Sequence, residues 1–149
     1  MANKKVSLIL VLLFMILGIL EAQTDNRLNG IWTATHTTGA VSQLILNNGS
    51  YEYSIDFDNV QTLVRGTYTT RGNLFIRTPS HMHGSSFSSL GLRLGARWYS
   101  QNELRYTVNA DLFTLLSFYF LQTTHTYNLR GNTLILTTSD NITITYTRR

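Results

Sequence analysis

Two histidines one residue apart, His81 and His83, flank Met82 in a Ser/Gly-rich stretch. Imidazoles at that spacing can bind copper or zinc, and a thioether favours Cu(I). Two ligands do not make a site, and no acid lies in the surrounding segment 78–89. His36 and His125 could join only if the fold brought them near. The pair is therefore expected to be polar side chains of an exposed loop, and no resident metal is expected. Glu52, Asp56 and Asp58 form an acidic set that could attract calcium weakly. Their spacing puts them instead on the solvated face of a strand. There is no Gly-x-Ser-x-Gly elbow, no His-Glu-x-x-His and no phosphate-cradling glycine loop. The expectation is a non-catalytic protein without a cofactor.

The aromatic set is more informative. Tyr51, Tyr53, Phe57, Tyr68, Trp98, Tyr106 and Tyr127 all stand in segments of β character, and His125 shares a face with Tyr127. Interior phenols suit an amphipathic guest, because each offers apolar area and a hydrogen-bonding tip. These seven aromatics and His125 are the candidate lining of a cavity. The alternative is a packed core with no cavity.

The elements that must position them are short strands. Between residues 23 and 149 the chain carries 21 Thr. Together with Tyr, Phe and Ile these fit a pleated, half-buried surface. Residues 51–57 alternate strictly, with Tyr51, Tyr53, Ile55 and Phe57 on one face and Glu52, Ser54 and Asp56 on the other. Further strands are expected over 30–36, 43–46, 62–70, 74–77, 92–100, 103–108, 123–129, 133–138 and 142–148. In 92–100 the apolar phase runs through Leu92, Leu94, Ala96 and Trp98. In 103–108 it runs through Leu104, Tyr106 and Val108. Turn signals separate the runs: Asn47-Asn48-Gly49, Asp58-Asn59, Arg71-Gly72-Asn73 and Arg130-Gly131-Asn132. Gly66 inside its run marks a bend or bulge. Residues 110–121 are apolar nearly throughout, so periodicity does not separate a capped helix from a buried strand. Their content of Thr, Phe and Tyr favours a strand.

Regular short strands with tight turns indicate an all-β, antiparallel, up-and-down barrel of about eight to ten strands. Such a barrel of eight strands is filled by side chains or holds one small ligand.

Residues 1–22 read as a secretory signal peptide: Lys4 and Lys5, an apolar run over 6–20, and Ala22 at the exit. That run of about 15 residues is shorter than the roughly 20 that span a bilayer. Cleavage there would leave a barrel domain over 23–149 with no transmembrane span. Both lysines would go with the signal, leaving ten scattered arginines against seven acids. A nucleic-acid surface would need a basic stripe, so no nucleic-acid partner is expected. The absence of cysteine excludes disulfides and thiolate chemistry. Export without disulfides fits a bacterial periplasm or a bacterial secreted protein.

Gly30-Ile31-Trp32 stands on the first expected strand, Arg148 on the last, and Gly131-Asn132 turns between two C-terminal strands. With these residues the chain resembles the calycin superfamily of lipocalin-like barrels, as seen in small bacterial lipocalin-like domains, over about residues 28–148. The resemblance implies that Gly30, Trp32 and Arg148 form a structural clasp near the closed end. An arginine on the apolar face of the last strand could stack its guanidinium on the indole. The resemblance also implies a binding protein for a small hydrophobic or amphipathic molecule. The alternative is an envelope interaction protein, or a protease-inhibitor-like barrel, acting through its surface and loops. An outer-membrane barrel fits less well, since its strands run roughly 9–11 residues and most runs here are shorter.

Overall fold

Alternating burial along nearly every long segment produces one closed, antiparallel sheet. In a computed structural model, described over residues 23–149, the strands are β1 (Gly30–Thr35), β2 (Val41–Asn47), β3 (Ser50–Phe57), β4 (Val60–Arg71), β5 (Leu74–His83), β6 (Trp98–Ser100), β7 (Thr123–Arg130), β8 (Thr133–Thr137) and β9 (Thr143–Arg148). The expected signal peptide lies outside the described residues. Neighbours pair in the order β4-β3-β2-β1-β9-β8-β7-β5-β6, and β4 also pairs β5. That last pairing closes an eight-stranded up-and-down barrel, with β6 added outside the ring. Closure leaves the eight strands with no long free edge.

Registers place the inward positions. Leu46, Leu44 and Ser42 of β2 face Tyr51, Tyr53 and Ile55 of β3. Phe75 and Arg77 of β5 face His125 and Thr123 of β7. Between β4 and β5 the register shifts at Arg65/Gly66, the irregularity expected from Gly66. A Cβ there would lie 2.1 Å from the Thr78 carbonyl oxygen, so only glycine permits this backbone approach. The tight turns take left-handed backbone at Asn48, Asp58 and Asn59, as hairpin connections require.

Two cores result. The first fills the closed half of the barrel with Leu28, Trp32, Leu44, Leu46, Tyr68, Phe75, Leu134 and Tyr146. The second lies under the β5–β7 connection and joins Val64, Met82, Phe87, Tyr99, Leu104 and Leu116.

That connection departs from the sequence expectation. The segment 92–97 is irregular, and only Trp98–Ser100 forms a strand, paired with His81–His83. Residues 103–108 are not a strand. All but Val108, its C-cap, belong to α1 (Gln101–Thr107), opened by a capping box: Glu103 N donates to Ser100 Oγ at 3.2 Å, and Ser100 N to Glu103 Oε2 at 2.8 Å. The spacing of Leu104 and Val108 served a strand reading, yet four residues apart they share one helical face. The apolar run is also helical. It forms α2 (Ala110–Ser117) and a 3-10 turn, Phe118–Phe120. Asn109 caps α2 by accepting from Leu112 N at 2.9 Å. Finally, His81 and His83 sit on β5, not in a loop. The strand runs on because Met82 is buried in the second core. Among the described residues no helix is long and apolar enough to cross a membrane.

Candidate ligand-binding site

The closed end explains what seals the barrel. A 3-10 turn, Asn26–Leu28, folds beneath β1 and buries Leu28. Trp32 Nε1 donates to the Leu28 carbonyl at 2.7 Å. The Arg148 guanidinium lies 4.4 Å over the Trp32 ring and donates to the Arg27 carbonyl. Gly30 has φ +141°, a backbone conformation strained for any residue with a side chain, while a Cβ there would sit in ordinary contact 3.7 Å from Arg148 Nε. Tyr127 belongs to this seal, since its hydroxyl donates to Asp25 Oδ2 at 3.1 Å. Tyr68 does as well, donating to Asn29 Oδ1 at 3.1 Å.

Above this plug the interior is open. A cavity of about 320 Å³ lies between β3, β4, β5 and the start of β7. Tyr51, Tyr53, Ile55, Val64, Arg77 and Pro79 form its wall. Phe118, Tyr119 and Leu121, from the segment that follows α2, edge its mouth. The volume is at the lower end for small-molecule pockets, roughly 300–1,000 Å³.

The electrostatics are one-sided. Burial pushes the Tyr51 and Tyr53 phenols up to about 12, so both stay neutral at physiological pH. One inward step below Thr123, His125 is only 7% exposed, and its Nδ1 is buried without a partner. Burial first, and the Arg77 charge second, lower its pKa to about 4, so this imidazole is neutral as well. Arg77 brings a guanidinium to this wall. Its guanidinium lies 5.3 Å from the Tyr53 ring centre and 5.7 Å from that of Tyr51. Its Nε donates to Thr123 Oγ1 at 3.3 Å. Among the described residues the ion pairs are Arg27–Asp25 and Arg97–Glu103, and neither involves Arg77.

Of the eight expected cavity residues, the structure brings two, Tyr51 and Tyr53, to the cavity wall. Tyr68, His125 and Tyr127 also point into the barrel but serve the packed, closed half. The other three lie elsewhere. Phe57, at the end of β3, is half-exposed beside the β3–β4 turn. Trp98 stacks edge-on against His83 at 5.2 Å and lies under Arg65 at 4.7 Å, outside the cavity. The faces of β6 are the reverse of those expected: Tyr99 is the buried one. Tyr106 is 81% exposed, on the far side of α1 from Leu104.

Arg77 was hidden by a boundary. Ending its strand at residue 77 makes it a terminal charge, whereas continuing the alternation from Phe75 to Pro79 turns it inward. The His81–His83 pair acquires no third ligand: no group of three or more His, Cys, Asp or Glu is placed to hold a metal among the described residues. His81 meets Ser80, and His83 meets Ser85. Glu52 and Asp56 are exposed on the outer face of β3. No protein-family model matches the chain, and no curated protein matches it.

Proposed function

We propose that this chain is an exported, non-catalytic binding protein of the lipocalin-like type, which carries a small hydrophobic or amphipathic molecule in its barrel. The observation that supports this reading is the opening above the closed half. Eight strands can be filled completely by side chains, and here a walled space of about 320 Å³ remains beneath an apolar mouth. The clasp of Gly30, Trp32 and Arg148 has the form expected of a calycin barrel, and the N-terminal signal pattern supports a periplasmic or secreted location.

The test is native mass spectrometry of protein purified from its own cells, coupled to N-terminal sequencing. The expected result is a mature chain beginning near Gln23 with a retained small molecule. A chain that emerges empty, and that takes up no apolar probe afterwards, would overturn the binding reading.

One observation favours a second reading, an interaction protein. The β5–β7 connection exposes Tyr106, Leu115, Phe118, Tyr119 and Leu121 to solvent. A stoichiometric partner recovered through these residues, from a protein with an empty barrel, would support it.

A further inference from the structure

We propose that the closed end of the barrel docks on an anionic phospholipid bilayer through an arc of arginines, leaving the mouth turned away from the lipid. The docking requires no guest in the barrel.

The arginines are far apart in sequence, and the fold gathers half of them at one end. The closed end is built from the segment 23–29, the hairpin tips at 47–50, 71–74 and 130–133, and the strand end at 148–149. These segments carry Arg27, Arg71, Arg130, Arg148 and Arg149, and their one acidic side chain is Asp25, already paired with Arg27 at 2.7 Å. Arg148 is committed to the Trp32 ring. Arg71, Arg130 and Arg149 are exposed, and among the described residues none of them forms an ion pair. The opposite end has the reverse character. Its turns at 36–40, 58–59 and 138–142 hold no Arg or Lys and two acids, Asp58 and Asp140. The β5–β7 connection sets Arg93, Arg97 and Arg105 against Glu103 and Asp111.

The hairpin tips stand clear of the wall. Arg71 and Arg130 each precede a Gly-Asn pair, and Gly72 and Gly131 take left-handed backbone, with φ +61° and +56°. A Cβ on either glycine would meet nothing within 4 Å, so no part of the barrel packs on these tips. Backbone bonds set them side by side: Tyr127 N donates to the Asn73 carbonyl at 2.7 Å, and Arg148 N to the Asn132 carbonyl at 2.8 Å. The two tips and the end of β9 therefore follow one another around the rim.

The chemistry fits phosphates spread on a plane. Residues 23–149 contain no lysine, and a guanidinium can grip phosphate oxygens through two parallel N–H bonds. A nucleic acid is met by a basic stripe or groove, with aromatic faces for single-stranded bases. Here the cations sit on separate strand ends around a rim, and Tyr68 and Tyr127 are held in the seal by their hydroxyls. Of the large apolar side chains exposed among the described residues, Ile31 alone lies at this end. The contact is therefore electrostatic and does not insert.

The test uses the chain purified from its own cells, sedimented with vesicles of phosphatidylcholine alone or of phosphatidylcholine and phosphatidylglycerol at ~2:1. Wild type is expected to bind the mixed vesicles at least ~10-fold more tightly than the neutral ones, and to lose that preference in ~0.5 M salt. Arg71→Gln with Arg130→Gln should weaken binding to the mixed vesicles at least ~10-fold. Arg93→Gln with Arg105→Gln removes the same charge from the opposite end and should weaken it less than ~3-fold. Equal losses in the two double variants would reduce the effect to net charge and overturn the proposal. So would equal binding to both vesicles, which is the behaviour of an apolar anchor. Tighter binding to a DNA duplex than to the mixed vesicles, at equal phosphate concentration, would overturn the bilayer in favour of nucleic acid. All four side chains are exposed, so both variants should melt with wild type. If one does not, the wild-type comparison of the two vesicles across salt decides alone.

Discussion

The two ends of this barrel are made from the same strands but solve opposite problems. At the closed end, β1 and β9 meet with Trp32 opposite Arg148, and the turn at Asn26–Leu28 is drawn beneath them. The polar tips of Trp32, Tyr68 and Tyr127 are each spent on a hydrogen bond within the seal. At the open end the strands separate. Beyond Arg77 and Thr123, β5 leaves β7 and pairs with the short β6 instead. The gap is spanned by the β5–β7 connection with its own small core. The aromatics there keep apolar surface in water, with Phe118 66% exposed. One end therefore uses its aromatics for stability, and the other leaves room and apolar surface for something else.

The largest expected effect lies at the closed end. Trp32→Ala removes the central side chain of the seal, the stacking face of Arg148 and the bond to Leu28. Loss of a fully buried aromatic costs about 3–5 kcal/mol. Urea denaturation should therefore show the variant close to unfolded in water. A loss below ~1 kcal/mol would mean that the closed end is not what holds the barrel shut.

His125 sits where the two regions meet, and it gives a pH-dependent effect. In the unfolded chain its imidazole takes up a proton near 6.5, and in the barrel only near 4. Between these values the unfolded state holds more protons, so stability falls as pH drops from about 6.5 towards 4 and is unaffected above. A gap of that size corresponds to about 3 kcal/mol. Glu103, held near 2, and Asp25, also lowered by its hydrogen bond to Arg27, begin to contribute only once pH falls into the ordinary carboxylate range. The decline above pH 5 thus belongs to His125. It should flatten in His125→Gln, measured by denaturation at half-unit pH steps. An unchanged slope in the variant would place the titration elsewhere.

Arg148→Ala should cost about 2 kcal/mol, through the lost cation–π stack and the charged hydrogen bond to the Arg27 carbonyl. Arg148→Lys should recover little, because an ammonium does not reproduce a flat guanidinium over an indole. Full recovery with lysine would reduce the clasp to a point charge.

The sequence was most legible where one physical rule acted alone. Period two in residues 51–57 placed Tyr51, Tyr53 and Ile55 inward, because a strand has only two faces. The turn residues placed the hairpins, because few residues tolerate left-handed backbone. Gly30, Trp32 and Arg148 were legible together only through the resemblance to lipocalin-like barrels, which implied that the first and last strands meet. The β5–β7 connection was not legible by the same rule. There Leu104 and Val108 satisfy period two and the helical i,i+4 spacing equally, and a capping box at Ser100 and Glu103 decides the outcome. Arg77 was missed for a related reason. Period two already puts it on the Phe75 face, but as the last residue of the expected strand it read as a terminal charge, and the continuation to His83 was hidden by the Ser/Gly-rich composition that follows.

Tyr106 tests that same ambiguity with the smallest effect. As part of a strand it would face the barrel interior, and truncating it would empty a cavity wall and cost several kcal/mol. On α1 its ring projects into water, 81% exposed, while Leu104 carries the packing. Tyr106→Ala should change stability by no more than about 0.5 kcal/mol, and alanine's better helix propensity works in its favour. Uptake of an apolar probe should also be unchanged, since the ring is no part of the cavity. The matched change one element away, Tyr53→Ala, should weaken binding. If Tyr106→Ala instead behaves like Tyr53→Ala, the connection folds back into the barrel, and the contrast between a sealed end and an open end fails with it.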